Sequence, residues 1–191
     1  MGGVLLILLI YSQVSHVVSL QLISLAALFS LTVDVLRRFS PQFNESVLKI
    51  MGPLMREYER NGFAGTTFLL FGVFTIIWVF PSTIVHLALL FLAVADPVAS
   101  YVGIRYGKDK IFRSKSLQGT MAAFAVCTLI TAVYCYSYNL MTDRILIVSL
   151  LAGLGGSASE LIEIGKLDDN FTLPILAAGF IWIIFYMFGG L

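Results

Sequence analysis

Charge is scarce in this sequence: Lys, Arg, Asp and Glu make up 12% of its 191 residues, against 59% hydrophobic residues. With a mean hydropathy of +0.93, that scarcity excludes a soluble domain, because a chain this long cannot hide so much apolar surface in its own core. Cysteine is nearly absent. Cys127 and Cys135 fall eight residues apart in one expected helix, roughly 12 Å at ~1.5 Å per residue, which is too far for a disulfide. Two thiols are also too few for a zinc site, so both read as core residues. There is no basic stretch followed by a small-residue cleavage site, and hence no sign of a cleavable signal peptide. The two histidines, His16 and His86, fall near the poorly charged side of the expected bundle, away from the other ionisable groups, so neither is a good candidate base. The net charge of +1 gives no reason to expect a nucleic-acid partner; how the charges are distributed says more.

What is abundant is apolar sequence in blocks. Six stretches approach the ~20 residues that a helical span requires: Val17–Val35, Ala64–Phe80, Thr83–Ile104, Leu117–Tyr138, Leu146–Ile164 and Leu173–Gly190. Val4–Tyr11 is too short to cross alone and resembles the second half of a helix. The fold class is therefore all-α, a polytopic transmembrane helix bundle of six full spans plus a truncated N-terminal span, forming a single domain over residues 1–191. Alternating the spans places every Lys and Arg except Arg144 on one side, which the positive-inside rule makes cytoplasmic. That side would face the cytosol from a plasma membrane in a prokaryote, or from an endoplasmic reticulum or plastid membrane in a eukaryote. Between the first two full spans, Pro41–Asn61 carries Val47, Leu48, Met51, Leu54, Met55 and Tyr58 on one helical face. This is the pattern of an interfacial amphipathic helix kinked at Pro53. It serves either as a plain connector or as a rim over a lipid's access point, with Arg56, Glu57 and Glu59 reaching the site.

The few charges cluster, and in lipid a charge at a helix end usually marks a site. The stretch Ala95–Thr120 puts Asp96-Pro97 inside an apolar run, where proline frees a backbone carbonyl and breaks the helix. Ala99, Ser100, Gly103 and Gly107 allow close backbone approach. Arg105, Lys108, Lys110, Arg113 and Lys115 follow, with Asp109 the single acid among them. Gly119 opens a new helix whose first amides could receive a phosphate. Each piece alone also fits a positive-inside loop flanked by packing glycines. Together they are what holding a metal–polyphosphate needs: an acid for the cation, backbone amides, and cations for phosphate oxygens.

A second constellation is Glu160-Leu-Ile-Glu163 followed by Asp168-Asp169-Asn170. Glu160 and Glu163 share a helical face, and the set offers hard oxygen donors suited to Mg²⁺ or Mn²⁺. A solvated acidic turn with a helix cap is the plainer alternative. The small-residue run Gly153–Ser159 lets this helix pack closely on a neighbour, expected to be the Asp96 helix.

Asp96-x-x-Ala99-x-x-x-Gly103-x-x-x-Gly107, followed by Lys115-Ser116-Leu-Gln118-Gly119, resembles the CTP-binding signature of the lipid-alcohol kinases: dolichol kinase, phytol kinase and the CTP-dependent diacylglycerol kinase of yeast. Glu160…Asp168-Asp169-Asn170-x-Thr172-x-Pro174 is similar to that family's C-terminal block. Asp34-x-x-Arg37, with Arg56-x-x-Glu59 and Gly65, also fits its pattern. The family usually has Glu where this chain has Gln118. The resemblance implies transfer of the γ-phosphate of CTP to the hydroxyl of a membrane lipid, with a divalent cation. It implies metal ligation by Asp96, Glu160, Glu163, Asp168 and Asp169, with Asp96 alternatively accepting the hydroxyl proton, and CTP contacts from Ala99, Gly103, Arg105, Gly107, Lys108, Lys115, Ser116, Gln118 and Gly119. A phosphatidate cytidylyltransferase has a similar Asp…Gly…Gly…Lys arrangement, but its Gly-rich C-terminal signature ending in D-R-x-D is missing here. A transporter or scaffold would need polar residues along a path through the bilayer, and these end at one face.

Overall fold

The computed structural model describes residues 2–191 apart from 56, 61, 113, 114, 163 and 166, and leaves out the side chains of 54, 58 and 112. The expected positions Glu163, Arg56 and Arg113 therefore lie outside the described residues. The described chain is almost wholly helical: α1 Gly2–Gln13, α2 His16–Phe39, α3 Pro41–Met51, α4 Gly65–Val79, α5 Ser82–Leu90, α6 Asp96–Tyr106, α7 Leu117–Ser137, α8 Ile145–Leu161 and α9 Asp169–Phe188. In lipid a helix satisfies its own backbone donors and acceptors, which is why apolar blocks of this length adopt it.

Four helical stretches are long and apolar enough to cross a membrane: His16–Phe39, Ser82–Tyr106, Leu117–Ser137 and Asp169–Phe188. The expected six full spans include two that fall short of this length. α4 has 15 residues and α8 has 17, about 22 and 26 Å at ~1.5 Å per residue. Apolar sequence ran on where the helix did not: α8 stops at Leu161, with Ile162 extended. α1 is a 12-residue apolar helix. The amphipathic segment is helical as α3 and then breaks into 3₁₀ turns at Gly52–Leu54, where Pro53 sits, and at Glu57–Arg60. One feature was not foreseen: a two-stranded antiparallel hairpin, β1 Lys110–Phe112 with β2 Lys115–Ser116, which folds the basic loop back onto the start of α7.

α5 is the central helix. Ile84, Val85, Leu87, Ala88 and Leu89 are all fully buried, and Val73, Ile76, Ile181 and Phe185 of α4 and α9 pack in the same core. Large apolar side chains such as Leu25, Phe29, Trp78, Leu129 and Tyr186 are exposed around the outside, as a lipid-covered surface requires. α5 continues into α6 through a π-helical turn, Phe91–Ala95, in which the Asp96 amide donates to the Phe91 carbonyl. The turn precedes Pro97, whose ring cannot be accommodated by a regular helix and which has no amide to donate.

The small-residue face of α8 packs chiefly on α7 and α9, so the expectation that it lies against the Asp96 helix is only partly met. A methyl at Gly155 would meet Phe180 of α9 at 2.7 Å, and one at Gly156 would meet Cys127 Sγ at 2.7 Å and the Phe91 ring at 2.8 Å. Phe91 is the point at which α8 touches the π turn. Cys127 and Cys135 are both free and buried, as core residues should be.

At the charged end, Asp34 and Arg37 form a buried ion pair at 2.9 Å. Asp34 Oδ2 accepts from the Ala64 amide (2.9 Å) and the Thr67 hydroxyl (2.6 Å). Arg37 donates to Asn44 Oδ1 and to the Glu59 and Arg60 carbonyls. Glu59 Oε1 in turn accepts from the Gly65 amide. These bonds fasten α2 to the start of α4 across the whole connector.

Gly156→Val should destabilise the fold by roughly 1–3 kcal/mol through overpacking. Gly179→Ala, at a position with no atom within 4 Å of the added methyl, should be neutral or stabilising by up to ~1 kcal/mol. Thermal unfolding of the two variants in detergent checks both; equal behaviour would rule out the α7–α8 contact.

Candidate active site

The cleft at the charged end follows from the crossing of α6 and α7. A methyl on Gly119 would lie 2.9 Å from the Ala99 carbonyl oxygen and 3.3 Å from Gly103 Cα. One on Gly103 would lie 3.1 Å from Ser116 Oγ, and one on Gly107 would collide with the Gly103 carbonyl and with Ser116 Oγ. Only backbone fits between the helices, so they approach closely. Ser116 caps α7, its hydroxyl accepting from the Gly119 amide at 3.2 Å.

Above this crossing opens a cleft of about 310 Å³ lined by Ala99, Ser100, Gly103, Ile104, Lys115, Ser116, Gly119 and Glu160. Six of the expected residues therefore meet in one place, from three helices and the hairpin. Lys115, at the end of β2, reaches Glu160 Oε1 at 3.5 Å, with side chains 21% and 8% exposed. Glu160 Oε2 is buried with no hydrogen-bond partner among the described residues. Lys115 attracts the charge on Glu160, while Asp96 and Asp169 are near enough to repel it. Asp96 and Glu160 also line a much smaller void of about 10 Å³ beneath, walled by Phe91, Ala123, Cys127 and Leu173.

The remaining expected residues surround the cleft without all entering it. Arg105 donates to the Tyr101 hydroxyl at 2.6 Å and stacks over Tyr101 and Tyr106, along the exposed side of α6. Gln118 works as a clamp. Its carbonyl accepts from the Lys108 and Asp109 amides at 3.1 and 3.4 Å, and its amide donates to Asp109 Oδ2 at 2.9 Å. Lys108 thus enters this geometry through its backbone. Asp168 is the N-cap of α9, Oδ1 accepting from both the amide and the side chain of Asn170. Asp169 opens α9 and is exposed.

Ser100, expected only as a small residue at a close approach, and Ile104, not singled out at all, also line the cleft. They share a helical face with Ala99 and Gly103, so the 3.6-residue period from Asp96 would have found them. The Glu59–Gly65–Asn170 junction was legible only in pieces: a methyl on Gly65 would lie 2.8 Å from both Glu59 Oε1 and Asn170 Nδ2.

The donors fit a divalent cation. An unpartnered buried carboxylate oxygen with two further carboxylates acting on it suits Mg²⁺ or Mn²⁺. Among the described residues no three ligating side chains are already gathered into a metal site. Bound phosphate oxygens and water would have to complete the coordination sphere, as Mg²⁺ commonly permits.

Known proteins similar to this chain are CTP-dependent diacylglycerol kinases. The chain is 33% identical over 163 residues to CTP-dependent diacylglycerol kinase 1 of Schizosaccharomyces pombe, covering 80% of this chain and 75% of that protein. The protein of that name from Eremothecium gossypii is 36% identical over 169 residues, 78% of this chain and 53% of the relative. That from Saccharomyces cerevisiae is 30% identical over 167 residues, 78% and 58% respectively. The chain thus spans between about half and three quarters of these relatives. No family profile and no solved structure matches it.

Lys115→Met should cost about 1–3 kcal/mol, since it leaves Glu160 buried beside two other acids without a cation. Glu160→Gln should be neutral or slightly stabilising, because it removes a half-satisfied buried charge. Thermal melts in detergent distinguish the two; equal destabilisation by both would mean that Glu160 is an ordinary structural partner.

Proposed function

Because the chain belongs to the family of CTP-dependent lipid kinases that includes the yeast diacylglycerol kinases, we propose that it transfers the γ-phosphate of CTP to the hydroxyl of a membrane lipid at the charged, cytoplasm-facing end of the bundle. Diacylglycerol is the first acceptor to consider; polyprenol (dolichol) and phytol have the same reacting group. The observation that carries this reading is the cleft itself, with a backbone floor at Gly103 and Gly119 and an acid–base pair, Lys115 and Glu160, at its edge.

In this reading Ala99, Gly103, Ser116 and Gly119 shape a seat for the nucleotide's phosphates, and Lys115 neutralises them. Gly107, Lys108 and Gln118 hold the loop that closes the seat, and Arg105 adds positive charge at its approach. Glu160, with Asp96 and Asp169 and with Glu163 following on the same chain segment, would hold the divalent cation, which neutralises charge on the phosphates as the bond breaks. Asp168 positions Asn170 and Asp169 through the α9 cap. The lipid's hydroxyl oxygen bonds to the γ-phosphorus as the bond to the bridging oxygen breaks, and CDP leaves. Asp96 is either a ligand of that cation or the acceptor of the hydroxyl proton. Phosphoryl transfer requires mostly positioning and charge neutralisation, and these residues supply both.

Transfer at the α-phosphate, as in a cytidylyltransferase, is the rival chemistry. Purified protein in mixed lipid micelles with Mg²⁺ should move label into lipid from γ-labelled CTP and not from α-labelled CTP. The reverse pattern would refute the kinase reading, and varying the acceptor lipid identifies the substrate.

Asp96→Asn should lower kcat at least about 100-fold, the usual scale for a lost general base, with little change in KM for CTP. Full activity in that variant would remove Asp96 from the chemistry.

A further inference from the structure

Another cavity abuts the α2–α4 fastening and shares no lining residue with the nucleotide cleft. It has a volume of about 300 Å³ and is lined by Arg37, Arg38, Pro41, Asn44, Arg60 and Gly62. Among the described residues, three of the six that line it are arginines and none is a carboxylate. Asp34 cancels only one of the three charges, through its bond to Arg37. Arg38 lies over the Phe63 ring at 4.9 Å, a contact that leaves its charge uncompensated. Arg60 is an exposed side chain whose backbone carbonyl is held by Arg37. The wall is rigid. Arg37 makes four hydrogen bonds, to Asp34, Asn44 and the Glu59 and Arg60 carbonyls, and so fixes the segment from which Arg60 projects. Because Asn44 accepts from Arg37 through Oδ1, its amide nitrogen remains a donor. Pro41 and Asn44 bring the start of α3, and with it the positive end of a helix dipole, to the same cavity.

The position of the cavity identifies the kind of anion. It sits where the apolar part of α2 ends and the amphipathic α3 begins. Phe39 is 83% exposed and Ile50 77% exposed, with Met51 and Phe43 also open to the surroundings. Such side chains belong in the interfacial layer of a membrane. A fixed arginine cavity at that depth meets lipid phosphates before any soluble anion, and guanidinium is the side chain best matched to phosphate oxygens.

We propose that this cavity is a binding site for the phosphate headgroup of an anionic membrane phospholipid, separate from the nucleotide cleft and independent of the reaction assigned to it. The site selects anionic over zwitterionic headgroups because, among the described residues, no acid lines the cavity to receive a choline or ethanolamine cation.

Native mass spectrometry of the full chain released from detergent, titrated separately with phosphatidylglycerol, phosphatidylcholine and inorganic phosphate, tests this. The wild-type protein should retain one phosphatidylglycerol at least tenfold more tightly than phosphatidylcholine. Arg38→Gln together with Arg60→Gln should reduce that preference about tenfold or more, the factor expected for losing one charged hydrogen bond, and Arg38→Lys with Arg60→Lys should restore part of it. The wild-type comparison needs no variant to fold. Equal retention of the two lipids, or a preference unchanged in the double glutamine variant, would overturn the site. Displacement of phosphatidylglycerol by millimolar inorganic phosphate would assign the cavity to a soluble phosphate and overturn the membrane-lipid assignment.

Discussion

The charged end of this bundle depends on two helices meeting with nothing but backbone between them. Gly103, Gly107 and Gly119 leave no room for a methyl, and Ser116 fills the remaining gap while capping α7. Moving α6 and α7 apart by the width of one side chain would unseat several things at once. The Leu117 amide would lose the Asp109 carbonyl, Gln118 would lose the loop amides it clamps, and Lys115 would lose its 3.5 Å reach to Glu160. Small residues at a membrane helix contact are usually a packing device. Here the same contact forms the floor of a cleft, so packing and binding make the same demand on the sequence.

Two groups of buried charge sit at this end, and they differ in how well they are satisfied. Asp34 has a cation on one oxygen, and an amide and a hydroxyl on the other. Its partner Arg37 also places all its bonds on fixed acceptors. Breaking such a pair typically costs about 3–5 kcal/mol, so this group reads as a fastening between α2 and α4. Glu160 is held at a single oxygen, at a longer distance, and has two acids near enough to oppose it. A folded chain does not keep that arrangement for stability. The half-satisfied carboxylate and the fully satisfied one come from similar residues at similar depth, and it is the incompleteness of Glu160 that marks the proposed cation site.

Much of this was readable in the chain. Asp96-Pro97 inside an apolar run announced a break, but the helix continues from Ser82 to Tyr106 and takes up the proline in a π turn. Glycines at 103 and 107 announced close approach, and small residues at 153–159 announced a tightly packed helix; Gly119 read only as a helix start, and its contact with Ala99 and Gly103 comes from the structure. Less legible was anything that depends on which helix lies beside which. Periodicity shows that α8 has a small face, but not that α7 occupies it. Composition shows a basic loop, but not that a hairpin folds it back so that Lys115 enters the cleft while Arg105 turns outward onto two tyrosines. Apolar runs also overstate helix length: α8 leaves helical geometry at Ile162 although the expected span reached Ile164. An amphipathic connector could be seen from residues 41–61, but its arginine cavity needs Arg60 brought back beside Arg37 and Arg38, across more than twenty residues of chain.

The confinement of chemistry to one end also separates an enzyme from a conduit. A transporter must offer its cargo a polar route between the two faces, and charges inside membranes ordinarily line that route. Here the middle of the bundle is closed by Ile84, Val85, Leu87, Ala88 and Leu89 against Val73, Ile76 and Ile181. Buried polar residues such as Thr131 and Ser149 carry no charge, and Thr131 returns its hydroxyl to the Cys127 carbonyl of its own helix. A lipid alcohol, by contrast, brings its hydroxyl to the headgroup layer and leaves its chains in the hydrocarbon. The groups proposed to react then need to occupy one face only: Lys115, Glu160 and Asp169 stand at or near the ends of their elements, with Asp96 further inside the Ser82–Tyr106 helix.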